Sequence, residues 1–95
     1  MATHIYICVL WKHDHPNEPV ELWSELDEAR FEVRKVELWL GGRAGFADQH
    51  HSAGETRLST EAVPSVQAIN AQGEFEAKEA DRPAFEQIWR KVVGR

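Results

Sequence analysis

Ninety-five residues, 42% of them hydrophobic, suffice for one domain (1–95) with its own core and are too few for two domains with a cleft between them. Lys plus Arg number 11 against 16 Asp plus Glu, a formal charge of −5 that opposes nucleic-acid binding by phosphate neutralisation and suits a basic protein partner. The single cysteine, Cys8, excludes an internal disulfide and a cysteine-based zinc site within this chain.

Residues 3–12 predict the first strand. Ile5, Ile7, Val9 and Trp11 alternate with Tyr6, Cys8 and Leu10, so both faces are apolar and the strand belongs mid-sheet or under a helix. Cys8 reads as core. The run is too short to cross a bilayer, lacks a basic segment before it and is followed by Lys12-His13-Asp14-His15, so a soluble cytoplasmic protein without a membrane partner is expected.

HDHPNEP, residues 13–19, has loop composition. Val20 to Leu26 and Phe31 to Leu40 predict two strands joined by Asp27-Glu28-Ala29-Arg30. Ser24 with Asp27, followed by Leu26, Ala29 and Val33, also fits a short capped helix; strand-turn-strand is the preferred reading. Gly41-Gly42 then predicts a two-residue hairpin, since such loops demand positive φ. Its register sets Trp39 opposite Ala44, Glu37 opposite Phe46 and Val36 opposite Ala47. Val36, Leu38, Leu40 and Ala47 become a core stripe, and Trp39, Phe46 and Glu37 lie on the reverse, facing solvent or a partner.

Beyond Asp48, QHHSAGETRLS reads as an exposed loop. Pro64 and Ser65 can open a short helix through Asn70, ended by Gly73. Glu74 to Ala80 predicts an edge strand guarded by its charges. In the last helix Asp81 caps, Pro83 fits the first turn, and Phe85, Ile88, Trp89 and Val92 form one apolar stripe, with Arg90, Lys91 and Arg95 complementing the dipole. The expected architecture is α+β: an antiparallel meander of about four to five strands with two helices packed on one face.

Candidate chemistry is sparse. His13, Asp14 and His15, with His50-His51, offer ligand and proton-carrier types, and the two loops could meet at one end of the sheet. Their spacing matches no zinc signature, so no metal or cofactor is expected. Ser24, Ser52, Ser59, Thr60 and Ser65 lack a glycine-framed elbow, and Gly41, Gly42 and Gly45 are spaced for a hairpin and not for a phosphate loop. No catalytic residue is nominated and an enzyme is disfavoured.

The carboxylates Glu18, Glu21, Glu25, Asp27, Glu28, Glu32 and Glu37 crowd the region of Arg30, Arg34, Lys35 and Arg43. They can pair across strands or form an acidic surface around aromatic anchors. Of four tryptophans, Trp11 and Trp89 serve the core, which leaves Trp23 and Trp39. The expected partner-binding set is Trp23, Trp39, Phe46, Glu21, Glu25 and Glu37.

W-x-H-D at Trp11–Asp14, E-P-V-x-L at Glu18–Leu22, F-E-x-R-K-V-E at Phe31–Glu37, E-F-E-A at Glu74–Ala77 and F-x-x-I-W at Phe85–Trp89 together resemble a family of small bacterial proteins of unknown function. The resemblance covers nearly the whole chain and implies its fold and length, with no catalytic residue to carry over. The build also resembles that of immunity proteins. The expected function is non-catalytic protein binding, of the immunity or inhibitor kind, directed at a basic partner. The alternatives are a His/Asp metal-dependent hydrolase and a structural homodimer.

Overall fold

The structure, a computed structural model, describes residues 3–94, so the expected dipole contribution of Arg95 lies outside the described residues. Ile5–Trp11 forms β1; its central residues Tyr6, Ile7, Cys8 and Val9 are buried on both faces, as the two-sided apolar pattern requires, while Leu10 near its end is exposed. It pairs antiparallel with β2 (Glu21–Leu26) on one side and β6 (Phe75–Ala80) on the other. With β3 (Glu32–Leu38), β4 (Ala44–Ala47) and β5 (Ser52–Ala53) the sheet order is β5-β4-β3-β2-β1-β6. The α+β class, the antiparallel sheet and the two helices are as expected. Among the described residues the sheet holds six strands, because the segment after Asp48 contributes the two-residue β5. No helix among the described residues is long and apolar enough to cross a membrane.

The helices, α1 (Val66–Asn70) and α2 (Arg82–Val93), lie on opposite faces and not on one. Register puts Ile5, Ile7 and Val9 on the face of Leu22, Ser24, Leu26 and Ala77, and Ile69 and Val66 of α1 join that cluster. Tyr6 points the other way and meets Phe85 of α2, ring centroids 5.4 Å apart. The cause is connectivity. The chain must travel from the β5 edge to the β6 edge, and residues 54–74 make that crossing over one face, so the helix after β6 finds only the other face bare. Ser65 caps α1 by accepting from the Ala68 amide, and Asp81 caps α2 by accepting from that of Ala84. Phe85 and Val92 of the predicted stripe are buried, Ile88 and Trp89 half-buried.

Two departures from regular pairing decide which side chains share a face. The β3–β4 loop holds three residues, Leu40 to Gly42: the Trp39 amide donates to Arg43 O and Leu38 pairs with Ala44, while Gly41 and Gly42 take φ of 89° and 95°. Relative to a two-residue turn the register slips by one, so Val36 faces Phe46 and Glu37 faces Gly45. The expected separation of an aliphatic from an aromatic face is thereby corrected: Val36, Leu38 and Phe46 share the α2 face, and Glu37 and Ala47 the other. The second departure is a bulge between Glu25 and Leu26 and their β3 partners, which brings Glu32 to the face of Ser24 and Lys35.

The crossing segment has little secondary structure of its own and borrows hydrogen bonds from β3 and from the turn before it. Glu32 accepts from the Ser59 amide at 2.6 Å, Glu37 from the buried Thr56 hydroxyl at 2.8 Å, and Arg30, at φ 69°, donates to Val63 O and Pro64 O. Gly45 makes room for this seam, because a Cβ there would lie 2.3 Å from Thr56 Oγ1 and 3.0 Å from Ala53 O. Gly45→Ala should therefore destabilise by about 1–3 kcal/mol, as overpacking does. Urea melts check this; an unchanged midpoint would mean that Thr56 moves aside at no cost.

Candidate functional site

The α2 face carries residues in rows fixed by register. Tyr6, Glu25 and Arg34 form one row, Lys78, Cys8, Trp23, Val36 and Phe46 the next, and Glu76, Leu10, Glu21 and Leu38 a third. Helix α2 contacts β2, β3 and β4, and lies over the first row and the Phe46 end of the second. It is held by charge. Arg34 donates through Nε to Glu25 and through both Nη atoms to Glu86 of α2, at 2.8 and 3.1 Å. Its guanidinium carbon lies 4.8 Å from the Phe85 ring centre and 5.0 Å from that of Trp89.

Glu25, 6% exposed, is saturated: His4 Nδ1 lies 2.8 Å from Oε2, which also accepts from the Tyr6 hydroxyl at 3.1 Å. Burial pushes its carboxyl up, but hydrogen bonds from Arg34, His4 and Tyr6 outweigh that and hold it below the usual carboxylate range. Hydrogen bonding to Arg34 likewise lowers Glu86, while burial and the Glu25 carboxylate raise Tyr6. A cleft of about 520 Å³ opens beside His4 and Arg82, and the charged groups at its base are committed to each other and to the helix.

Away from α2 the same face stays open. Cys8, Leu10, Glu21, Trp23, Glu76 and Lys78 line a groove of about 780 Å³ over β2, β1 and β6. Leu10 is 40% exposed. The Trp23 indole N–H donates to Glu21 Oε2 at 2.7 Å, which sets the ring along the groove wall with one polar edge satisfied. Cys8 lies beneath, and burial pushes its thiol up to about 11, so it acts as a small apolar floor.

The expected partner-binding residues do not form one surface. Trp23 and Glu21 lie on the groove. Phe46 lies under α2 against Trp89, centroids 5.5 Å apart, and Glu25 is consumed by Arg34. Trp39 is only 8% exposed, donates its indole N–H to Asn17 O and is covered by Arg43, while Glu37 serves the opposite face. The slipped register and the two-sided sheet together dispersed the set.

The histidine loops are also separated. His13 follows the C-terminal end of β1, whereas His50 and His51 sit in the β4–β5 turn at the other end of the sheet. Both ring nitrogens of His13 are engaged, Nε2 with Pro19 O at 2.7 Å and Nδ1 with the His15 amide at 3.0 Å. Asp48 accepts from the amides of His50 and His51, and those bonds lower its carboxyl. No group of three or more His, Cys, Asp or Glu among the described residues is placed to hold a metal ion. Sequence reasoning missed His4, whose alternation with Tyr6 put it on the Glu25 face, and Arg34, named only as a pairing charge.

A family model for a domain of unknown function (DUF6881) matches residues 5–94. No curated protein and no solved structure matches the chain.

Because Glu25 and Glu86 are held below their ordinary range, their contribution to stability is complete above the unfolded carboxylate value, about 4.3, and drains as pH falls through the folded values. Glu25→Gln should cost up to about 3 kcal/mol at neutral pH, and the gap to wild type should narrow in acid. Urea melts across the acid range check this, and a gap of constant size would show that Glu25 does not act as a carboxylate.

Proposed function

We propose that this chain, which belongs to the DUF6881 family of domains of unknown function, is a non-catalytic protein-binding domain. Its contact surface is the open groove over β1, β2 and β6, and its occupant is a basic segment of a partner protein with an apolar side chain to lay against Trp23. The observation that carries this reading is the uncovered half of the α2 face, where Trp23 and Leu10 are presented between charged neighbours. Interface centres favour such aromatic anchors, with a charged rim that steers approach. The formal charge of −5 favours a basic partner. An immunity- or inhibitor-like role in the cytoplasm fits a small domain that works by covering a partner's surface.

Several groups suited to proton transfer are spent on structure. Glu25 and Arg34 anchor α2, and His13 ties its own loop with both nitrogens. A hydrolase built on His13, Asp14, His15, His50 and His51 would need loops that sit at opposite ends of the sheet.

Leu10→Glu, at an exposed position, should leave stability within about 0.5 kcal/mol of wild type. With a partner isolated on the wild-type chain and then purified, Trp23→Ala should weaken binding by about 2 kcal/mol, roughly 30-fold, in calorimetry. Wild-type affinity for that partner in both Trp23→Ala and Leu10→Glu would remove the groove from the interface. Sedimentation of wild type as a dimer that Leu10→Glu dissociates would replace this reading by the homodimer.

A further inference from the structure

A side chain occupies the outer edge of β6. The Lys12 amide donates to Glu74 O at 2.8 Å, which fixes the phase of the β1–β6 ladder: Glu76 and Lys78 turn their peptide groups toward β1, and Phe75, Ala77 and Glu79 turn theirs outward. Among the described residues no strand flanks β6 on its outer side. At Ala77 both outward groups are nevertheless paired. Asn70 Nδ2 donates to Ala77 O at 3.0 Å and Asn70 Oδ1 accepts from the Ala77 amide at 2.5 Å. These are the two bonds that one residue of an antiparallel neighbour would make, so the Asn70 amide stands where the peptide of a seventh strand would lie. Asn70 is the last residue of a five-residue helix seated on the sheet by Ile69.

The edge so covered is complementary to itself. A second β6 running antiparallel about Ala77 would set Ala77 opposite Ala77, Phe75 opposite Glu79, and Glu76 opposite Lys78 on each side of the two-fold axis. Opposite charges directly across strands stabilise such a pair. The charges of β6, expected to guard the edge, therefore do not guard it against a copy of itself, and the protection rests on Asn70. We propose that β6 is a latent self-association edge for a second copy of this chain, and that the Asn70 amide is the lock that keeps it closed. Release would join two sheets edge to edge and bring two Trp23 grooves to either side of one axis.

Sedimentation analysis of wild type, Asn70→Ala and Asn70→Ala with Lys78→Glu tests this. Wild type should be monomeric, Asn70→Ala should dimerise with increasing concentration, and the double variant, which sets Glu against Glu twice, should return to monomer. A folded Asn70→Ala chain that stays monomeric overturns the proposal, as does a dimer indifferent to Lys78→Glu. Hydrogen exchange on wild type gives a test that needs no variant to fold. The Ala77 amide should exchange far more slowly than those of Phe75 and Glu79, and equal rates at the three amides would show that there is no lock.

Discussion

A guanidinium that cannot shed its proton lies beneath α2, and the arrangement of that face follows from satisfying it. Arg34 is four-fifths covered, so each of its polar edges must find an acceptor and its planar faces must find something polarisable. Glu25, its cross-strand neighbour, takes one edge, and Glu86 takes the other. Phe85 and Trp89 lie against it, their ring centres 4.8 and 5.0 Å from the guanidinium carbon. Three of these four partners belong to α2, so the helix can dock in only one place along the sheet. Apolar packing alone would tolerate sliding, whereas a two-edged ion pair fixes both position and rotation.

That placement leaves the groove. Twelve residues of helix, directed by Arg34 toward β2, β3 and β4, reach β1 only at Tyr6 and leave Leu10 and the neighbouring part of β6 open. Trp23 therefore sits at a boundary, next to the packed Val36–Phe46 end of its row and open toward Cys8 and Lys78. The opposite face meets its constraint differently. Glu32 and Glu37 of β3 hydrogen-bond the irregular crossing from β5 to β6, and Arg30 fastens the middle of that crossing, at Val63 and Pro64, to the β2–β3 turn. The carboxylates that look like an acidic surface in one dimension are largely internal partners in three. Glu21 holds Trp23, Glu25 holds Arg34, Glu32 holds Ser59 and Glu37 holds Thr56.

What remains available to other molecules lies toward one side of the sheet, because β6 is both a wall of the groove and an outer strand whose edge only a side chain pairs. The opposite edge strand, β5, is only two residues long and offers little to pair with. β6 is three times that length and carries a self-complementary charge pattern, so its edge needs a specific device where β5 needs none. Asn70 provides it because α1 ends beside Ala77.

The sequence by itself determined the elements with strong local signals: the doubly apolar β1, the capped and striped α2, the helix opened by Ser65, and an edge strand after Gly73. Alternation, capping and turn chemistry act over a few residues and can be read from them. Only the tertiary structure decided what a one-residue difference controls. Gly41-Gly42 announces a hairpin but does not say whether the loop has two residues or three, and that choice moved Phe46 from a surface to the underside of α2 and Glu37 to the opposite face. The bulge that brings Glu32 beside Lys35 has no distinct residue signature. The pairing of Asn70 with Ala77, and of Arg34 with Glu86 fifty-two residues away, depends on where whole elements come to rest. Side-chain partners across such separations are chosen by the packing of the elements that carry them, and no local pattern encodes that choice.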